Sequence, residues 1–130
     1  MRYLEALDAV AINARVLGYT QGAEVALRDE GLLESALMRP RMAAHYEGID
    51  MVDQAALLMA GIALAHVFID GNKRTALVCG VTFLEWNGYR VTAEGELGRR
   101  IEDLVTSHAD EIAAIKALSD WLRERAGGGA

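Results

Sequence analysis

The sequence predicts an all-α protein, folded as a compact single-domain bundle of about six helices. Apolar residues recur at spacings of three and four along most of the chain, which is the helical period. Residues 55–65 are apolar without a break, as expected for a helix at the centre of a bundle. The 130 residues contain a single proline, no internal repeat and no linker that would separate two domains.

The first helix is predicted from five apolar positions at helical spacing: Leu4, Leu7, Ala11, Ala14 and Leu17. Gly18 ends this helix and opens a mixed, glycine-containing segment, residues 18–31. This segment is the expected place for a mobile flap or a short strand near the active site. A second helix is predicted to begin at Asp29 or Glu30. Pro40 is expected to kink or divide it, because proline lacks the backbone N–H that a helix interior uses.

Two strongly apolar helices are predicted in the middle of the chain. Asp50 or Asp53 starts the third helix, since a short acidic side chain can accept bonds from first-turn N–H groups. The fourth helix is predicted from about Asn72 to Trp86, and the glycine at position 88 favours its end there.

The C-terminal third of the chain is expected to be mixed at first and then helical. Residues 89–92 are expected to be extended, and two further helices are predicted at 94–107 and 110–125. The folded domain therefore comprises residues 1–126. The glycine-rich end, residues 127–130, is expected to be a disordered tail.

The net charge and the cysteine content limit which partners and which cellular compartment are expected for this protein. The net charge of −6, from 13 basic and 19 acidic residues, argues against broad contact with nucleic acid or an anionic membrane. The single cysteine, Cys79, lies in an apolar run and is predicted to be a buried, inert thiol. The N-terminus lacks the uninterrupted apolar core of a signal peptide. We therefore expect a soluble cytoplasmic protein that binds neither nucleic acid nor membrane directly.

A polar group of residues separates the third and fourth helices. Lys73 and Arg74 stand at the predicted start of the fourth helix, where the helix dipole disfavours cations. A bound anion would remove this conflict, because first-turn N–H groups bind phosphate readily and Gly71 lets the backbone approach closely. Asn72 can cap the helix or bind phosphate through its amide. The pattern therefore indicates a phosphate-binding site over residues 71–74.

Two further residues beside this site have side chains that can take part in a reaction. Asp70 can hold Mg²⁺, which needs only one or two protein ligands when phosphate oxygens supply others. His66, four residues earlier, is suited to taking a proton from a hydroxyl. Such a set suits phosphoryl or nucleotidyl transfer. Taken singly, each residue also has an ordinary explanation: a turn or helix cap at Asp70, a structural histidine, and solvated cations at Lys73 and Arg74.

The stretch HVFIDGNKRTAL, residues 66–77, resembles the signature of the Fic/Doc superfamily. The broader Fic motif reads His-Pro-Phe, any residue, Asp or Glu, Gly-Asn-Gly-Arg, two further residues and Arg. Six positions match it: His66, Phe68, Asp70, Gly71, Asn72 and Arg74. Three positions depart from it, where Val67, Lys73 and Leu77 replace proline, glycine and the second arginine. The last two departures resemble the Doc branch, and residues 27–41 also look like the N-terminal part of Doc-type toxins.

The resemblance implies a Fic/Doc-like helical fold and an enzyme that uses ATP with Mg²⁺. Fic relatives usually transfer AMP to a protein hydroxyl, whereas Doc transfers the γ-phosphate to a threonine of elongation factor Tu and blocks translation. On this chain His66 would be the base, Asp70 would hold Mg²⁺, and residues 71–74 would bind the nucleotide phosphates. The resemblance also implies an antitoxin whose C-terminal segment binds and neutralises the toxin.

Three functions remain open at this point. A Doc-like kinase is favoured over an AMP transferase, because Leu77 cannot orient ATP phosphates as the second arginine does in AMP-transferring relatives. The third function is a catalytically silent helical module that binds a partner. The sequence holds no clean copy of the inhibitory helix motif of some Fic proteins, which favours inhibition by a separate antitoxin.

Overall fold

The computed structural model describes residues 1–18, 27–106 and 110–128, and it confirms the predicted all-α class. The described residues form six helices: α1 (Ala6–Val16), α2 (Glu30–Glu47), α3 (Met51–Ala65), α4 (Asn72–Trp86), α5 (Glu94–Thr106) and α6 (Glu111–Arg125). They also form a small antiparallel sheet of two strands, β1 (Tyr89–Val91) and β2 (Ala126–Gly128). None of the helices in these ranges is both long and apolar enough to span a bilayer.

Helix α3 is the centre of the bundle, as its unbroken apolar sequence predicts. It packs against α2 on one side, α4 on another and α6 on a third, and ten of its fifteen residues are buried. Small residues let the neighbouring helices approach closely. A Cβ at Gly61 would lie 3.2 Å from Ala36 Cβ of α2, and a Cβ at Gly80 of α4 would lie 2.5 Å from Met59 Cγ.

The acidic helix starts that the sequence predicts are confirmed. The Asp29 carboxylate accepts a hydrogen bond from the Gly31 N–H at 2.7 Å, and α2 begins at the next residue after Asp29. The Asp50 carboxylate accepts one from the Asp53 N–H at 3.0 Å, and α3 begins at Met51. Each bond satisfies a first-turn N–H group that lacks a partner within the helix.

The sequence predicts that Pro40 kinks or divides the second helix, and the division is wrong. Helix α2 runs continuously from Glu30 to Glu47 with Pro40 buried inside it. Proline removes one helical hydrogen bond, but Pro40 itself is buried and α2 as a whole packs against α3. Tertiary contact therefore overrides the local signal.

The C-terminal strand differs from the predicted tail. Residues 127–130 were expected to be disordered, yet Gly127 and Gly128 continue β2 and pair with Arg90 and Tyr89 of β1. Strand pairing uses backbone groups, so glycines that lack side chains can still take part in it. The extended structure expected at residues 89–92 is present as β1, and residues 129–130 lie outside the described residues.

Of the predicted flap, residues 18–31, the part from 19 to 26 lies outside the described residues. The C-terminal end of the predicted flap, residues 27–31, is described, and it lies beside the polar segment between α3 and α4. Leu27 forms an isolated antiparallel β-bridge with Phe68, and the Arg28 N–H donates to the Val67 carbonyl at 3.0 Å.

Candidate active site

The polar segment forms a short loop, residues 66–71, between α3 and α4. His66 is the C-cap of α3 and has left-handed backbone angles, φ 49° and ψ 55°. Gly71 is the N-cap of α4 and is also left-handed, with φ 75° and ψ 21°. This conformation is easy for glycine but costs another L-residue about 1–2 kcal/mol. The strain at His66 must therefore be offset by surrounding contacts.

Asn72 holds the loop from its C-terminal side. Its Oδ1 accepts from the Phe68 N–H at 2.8 Å, and its Nδ2 donates to the Phe68 carbonyl at 2.7 Å. Phe68 and Val67 are both buried below the loop, which anchors it to the core. Asn72 was predicted to cap the helix or bind phosphate through its amide. The N-cap is Gly71 and not Asn72, and the Asn72 amide bonds the backbone of Phe68 within the loop. Phosphate binding by this residue stays a prediction.

Helix α1 supports the loop from beneath. The buried Asn13 donates through Nδ2 to the Asp70 carbonyl and to Thr75 Oγ1, both at 3.0 Å. A Cβ at Gly71 would lie 3.0 Å from Leu17 Cδ2. Glycine is therefore favoured here by its backbone angle, and the space for a larger residue is tight.

The loop and the first turn of α4 border a cleft of about 400 Å³. Eight residues line it: Ala63, His66, Ile69, Asp70, Gly71, Asn72, Lys73 and Arg74. The side chains of His66, Asp70, Lys73 and Arg74 are all exposed. The cleft thus brings together the six residues that the sequence predicted for the site.

The charges at the cleft suit an anion. The first turn of α4 contains no acidic residue, although acidic residues are favoured at helix starts. Its two cations, Lys73 and Arg74, line the cleft beside the helix start, and cations next to first-turn N–H groups favour a phosphate ligand. Lys73 Nζ lies 3.4 Å from Glu102 Oε1 of α5, an exposed ion pair that a bound phosphate would compete with.

Asp70 is the carboxylate of the cleft. Its Oδ1 accepts from the Gly71 N–H at 2.8 Å, while its Oδ2 accepts no hydrogen bond from the described residues. Within the described ranges there is no cluster of three or more His, Cys, Asp or Glu residues that would bind a metal ion alone. A cation here would therefore take ligands from Asp70 and from a bound ligand, which fits Mg²⁺ held jointly with nucleotide phosphates.

Leu77 and Cys79 lie on other faces of α4. Leu77 is half-buried towards α5, where a Cβ at Gly98 would lie 3.6 Å from its Cδ1. Cys79 is buried, and burial raises the pKa of its thiol to about 12. This confirms the predicted inert thiol, because the reactive form of cysteine is the thiolate.

The fold and the cleft define a class of protein: a helical bundle that presents a histidine, a carboxylate and a cationic helix start at one loop. Residues 3–84 match the sequence model of the Fic/DOC family, and the chain belongs to this family. Toxin Doc of Mycolicibacterium smegmatis is 39% identical over 105 residues, covering 78% of each chain. Protein kinase doc of Escherichia phage P1 is 30% identical over 125 residues, covering 95% of this chain and 94% of that protein.

Two residues that shape the loop were missed by the sequence analysis. Asn13 is a polar residue within an apolar helix, and that position was a signal of a specific contact. Arg28 contacts the end of α3 and gives no comparable signal. Both act from far away in the chain: Asn13 is 57 residues from Asp70, and Arg28 is 38 residues from His66.

Proposed function

We propose that this chain is a Doc-type toxin that works as an ATP-dependent protein kinase, transferring the γ-phosphate of ATP to a protein hydroxyl. The observation that carries the proposal is the cleft, where the exposed His66 and Asp70 lie beside the cationic start of α4. The names of the two relatives, a toxin and a protein kinase, agree with it.

The proposed reaction assigns one role to each group. His66 takes the proton from the target hydroxyl as the hydroxyl oxygen attacks the γ-phosphorus. A new O–P bond forms, the bond from the γ-phosphorus to the β–γ bridging oxygen breaks, and ADP leaves. Lys73, Arg74 and the first-turn N–H groups of α4 hold the phosphates and stabilise their charge.

Asp70 is the proposed Mg²⁺ ligand, since its Oδ2 is directed to no protein donor in the described residues. Mg²⁺ would neutralise charge on the nucleotide phosphates. Gly71 allows the phosphates to approach the backbone. Asn72 contributes its backbone N–H, while its side chain holds the loop in shape.

AMP transfer is the alternative reaction within the same family. It requires the α-phosphorus of ATP, and not the γ-phosphorus, to lie at the attacking hydroxyl. Leu77 weighs against this reaction, because it stands where AMP-transferring relatives have a second phosphate-binding arginine and it packs towards α5 instead. A catalytically silent binding module is the third possibility, and the complete set of polar groups in the cleft weighs against it.

Translation factor Tu, through one of its threonines, is the proposed target, and a cognate antitoxin is the proposed inhibitor. The chain offers an apolar groove of about 1090 Å³ between α2 and α6 for the antitoxin's C-terminal segment. Met38, Met42 and Tyr46 follow one another at four-residue spacing along α2, and all three are exposed. Such a surface suits the apolar face of a partner helix.

The test of this proposal uses the purified chain, Mg²⁺ and factor Tu, with ATP labelled at the γ-phosphate or at the α-phosphate. We expect label on the factor from γ-labelled ATP alone. Label from the α position would indicate AMP transfer. No label from either nucleotide, with a His66→Ala control equally inactive, would favour another target or the silent module.

A further inference from the structure

One residue binds three consecutive backbone carbonyls at the end of α3. The Arg28 side chain donates from Nη2 to the Ala65 carbonyl at 2.9 Å and from Nε to the His66 carbonyl at 3.0 Å. Its backbone N–H donates to the Val67 carbonyl at 3.0 Å. The last carbonyls of a helix lack hydrogen-bond partners within the helix, and Arg28 supplies these partners.

The two carbonyls that the guanidinium binds lie on either side of one Cα atom. The Ala65 carbonyl belongs to the peptide plane before His66, and the His66 carbonyl belongs to the plane after it. A rigid planar group that holds both planes restricts φ and ψ of His66 together. It therefore helps to hold the left-handed angles at this residue and fixes the direction in which its side chain leaves the backbone.

We propose that Arg28 is a positioning residue for His66. This inference rests on the proposed function, in which His66 is the base. Arg28 does not line the cleft among the described residues, so it acts on the base through the backbone and not on the nucleotide. Its substitution should lower the rate of transfer and leave ATP binding intact.

The experiment compares Arg28→Ala and Arg28→Lys with a matched control, Arg39→Ala. Arg39 is also a surface arginine and pairs with Glu111 at 3.3 Å, and its side chain makes no hydrogen bond to residues 65–67 in the described part of the chain. All proteins are assayed at a temperature where circular dichroism shows the native fold, and kcat and the KM for ATP are measured separately. Millimolar guanidinium is then added to the Arg28→Ala protein.

We expect Arg28→Ala to lower kcat by about a hundredfold, since misplacing a catalytic group by about 1 Å has this effect. The KM for ATP should stay within about twofold, because the contacts of Arg28 are to backbone carbonyls. Guanidinium should restore part of the rate in Arg28→Ala and none in the control. Arg28→Lys should remain slow, since an ammonium group lacks the fork that spans both carbonyls.

An unchanged kcat in Arg28→Ala would overturn the inference, and so would a loss confined to the KM for ATP. A readout that needs no turnover separates this inference from the proposed function. The imidazole NMR signals of His66 should shift in Arg28→Ala and stay in place in Arg39→Ala. If wild type transfers nothing, the proposed function fails, while these signals still decide whether Arg28 positions His66. Unchanged signals would contradict the positioning role.

Discussion

The side-chain amide of Asn13 lies between the Asp70 carbonyl and the Thr75 hydroxyl, 3.0 Å from each oxygen. Asn13 and Thr75 are fully buried. One amide group therefore ties the loop to the first turns of α4 and to α1, and the geometry of the cleft depends on it.

Replacing Asn13 by alanine should reduce the free energy of unfolding by about 1–3 kcal/mol, because the buried Thr75 hydroxyl and the part-buried Asp70 carbonyl lose their donor. Urea denaturation of the Asn13→Ala protein measures this change. The double variant with Thr75→Val should lose less than the sum of the two single variants, since the Thr75 hydroxyl no longer needs a partner. Strictly additive losses would show that the two side chains do not interact.

Replacing Gly71 by alanine should destabilise the protein more than replacing Gly48 by alanine. Both glycines have positive φ, 75° and 67°, so each alanine should cost about 1–2 kcal/mol in backbone strain. The Cβ of alanine at position 71 would lie 3.0 Å from Leu17 Cδ2, whereas a Cβ at Gly48 would have no atom of the described residues within 4 Å. Thermal unfolding of the two variants gives the comparison. Equal losses would contradict the close packing of α1 against the loop.

Stability should fall in acid partly through Asp50. A hydrogen bond from Arg123 lowers the pKa of the Asp50 carboxyl below its usual value of 3.8. A depressed folded-state pKa stabilises the fold above the unfolded-state pKa, and this contribution disappears as pH falls through the folded-state pKa. Arg123→Gln should therefore lower the melting temperature above about pH 5, and the difference from wild type should shrink below about pH 4. A difference that is the same at all pH values would exclude this origin.

Two charge changes near α4 should move ATP affinity in opposite directions. Arg74→Ala should weaken binding, because it removes a cation from the cleft. Glu102→Gln should strengthen it by up to about fivefold, since it frees Lys73 from an exposed pair worth about 0–1 kcal/mol. Calorimetric titration with ATP and Mg²⁺ measures both effects, and Glu111→Gln is the distant control. Unchanged affinity in Arg74→Ala would remove this residue from the phosphate site.

Placing a charge in the apolar groove should separate inhibition from catalysis. Met42 is 51% exposed in the groove between α2 and α6 and does not line the cleft. Met42→Asp should weaken binding of the antitoxin's C-terminal segment at least about tenfold, because a carboxylate would be buried in the complex. Phosphate transfer in the absence of antitoxin should be unchanged. If the antitoxin still inhibits Met42→Asp at the same concentration, its segment binds elsewhere.

The helix caps that the sequence predicted correctly, and the grouping of the proposed site residues at one cleft, depend on residues that are near in the sequence. Asp29 and Asp50 act on N–H groups two and three residues further along, so their role as caps could be inferred from order alone. The site residues His66 to Arg74 lie within nine positions. Any structure that places a helix start at Asn72 keeps them together.

The features that were missed depend on contacts between distant parts of the chain. Pro40 stays within a helix that packs against α3 and buries the proline, and a local rule for proline does not include this contact. Gly127 and Gly128 form part of a strand because β1 lies beside them. Arg28 reaches the end of α3 across 38 residues, so its contacts with the loop could be found only in the folded chain.

The most direct test of γ-phosphate transfer with His66 as the base follows the products formed from ATP by ³¹P NMR. Wild-type protein and a His66→Ala variant of confirmed fold are each incubated with Mg²⁺, ATP and factor Tu, and again without the factor. We predict that ADP forms with wild type only when the factor is present, matches the phosphate found on the factor, and is absent with His66→Ala. Formation of pyrophosphate in place of ADP, or equal ADP production by His66→Ala, would contradict the proposed mechanism.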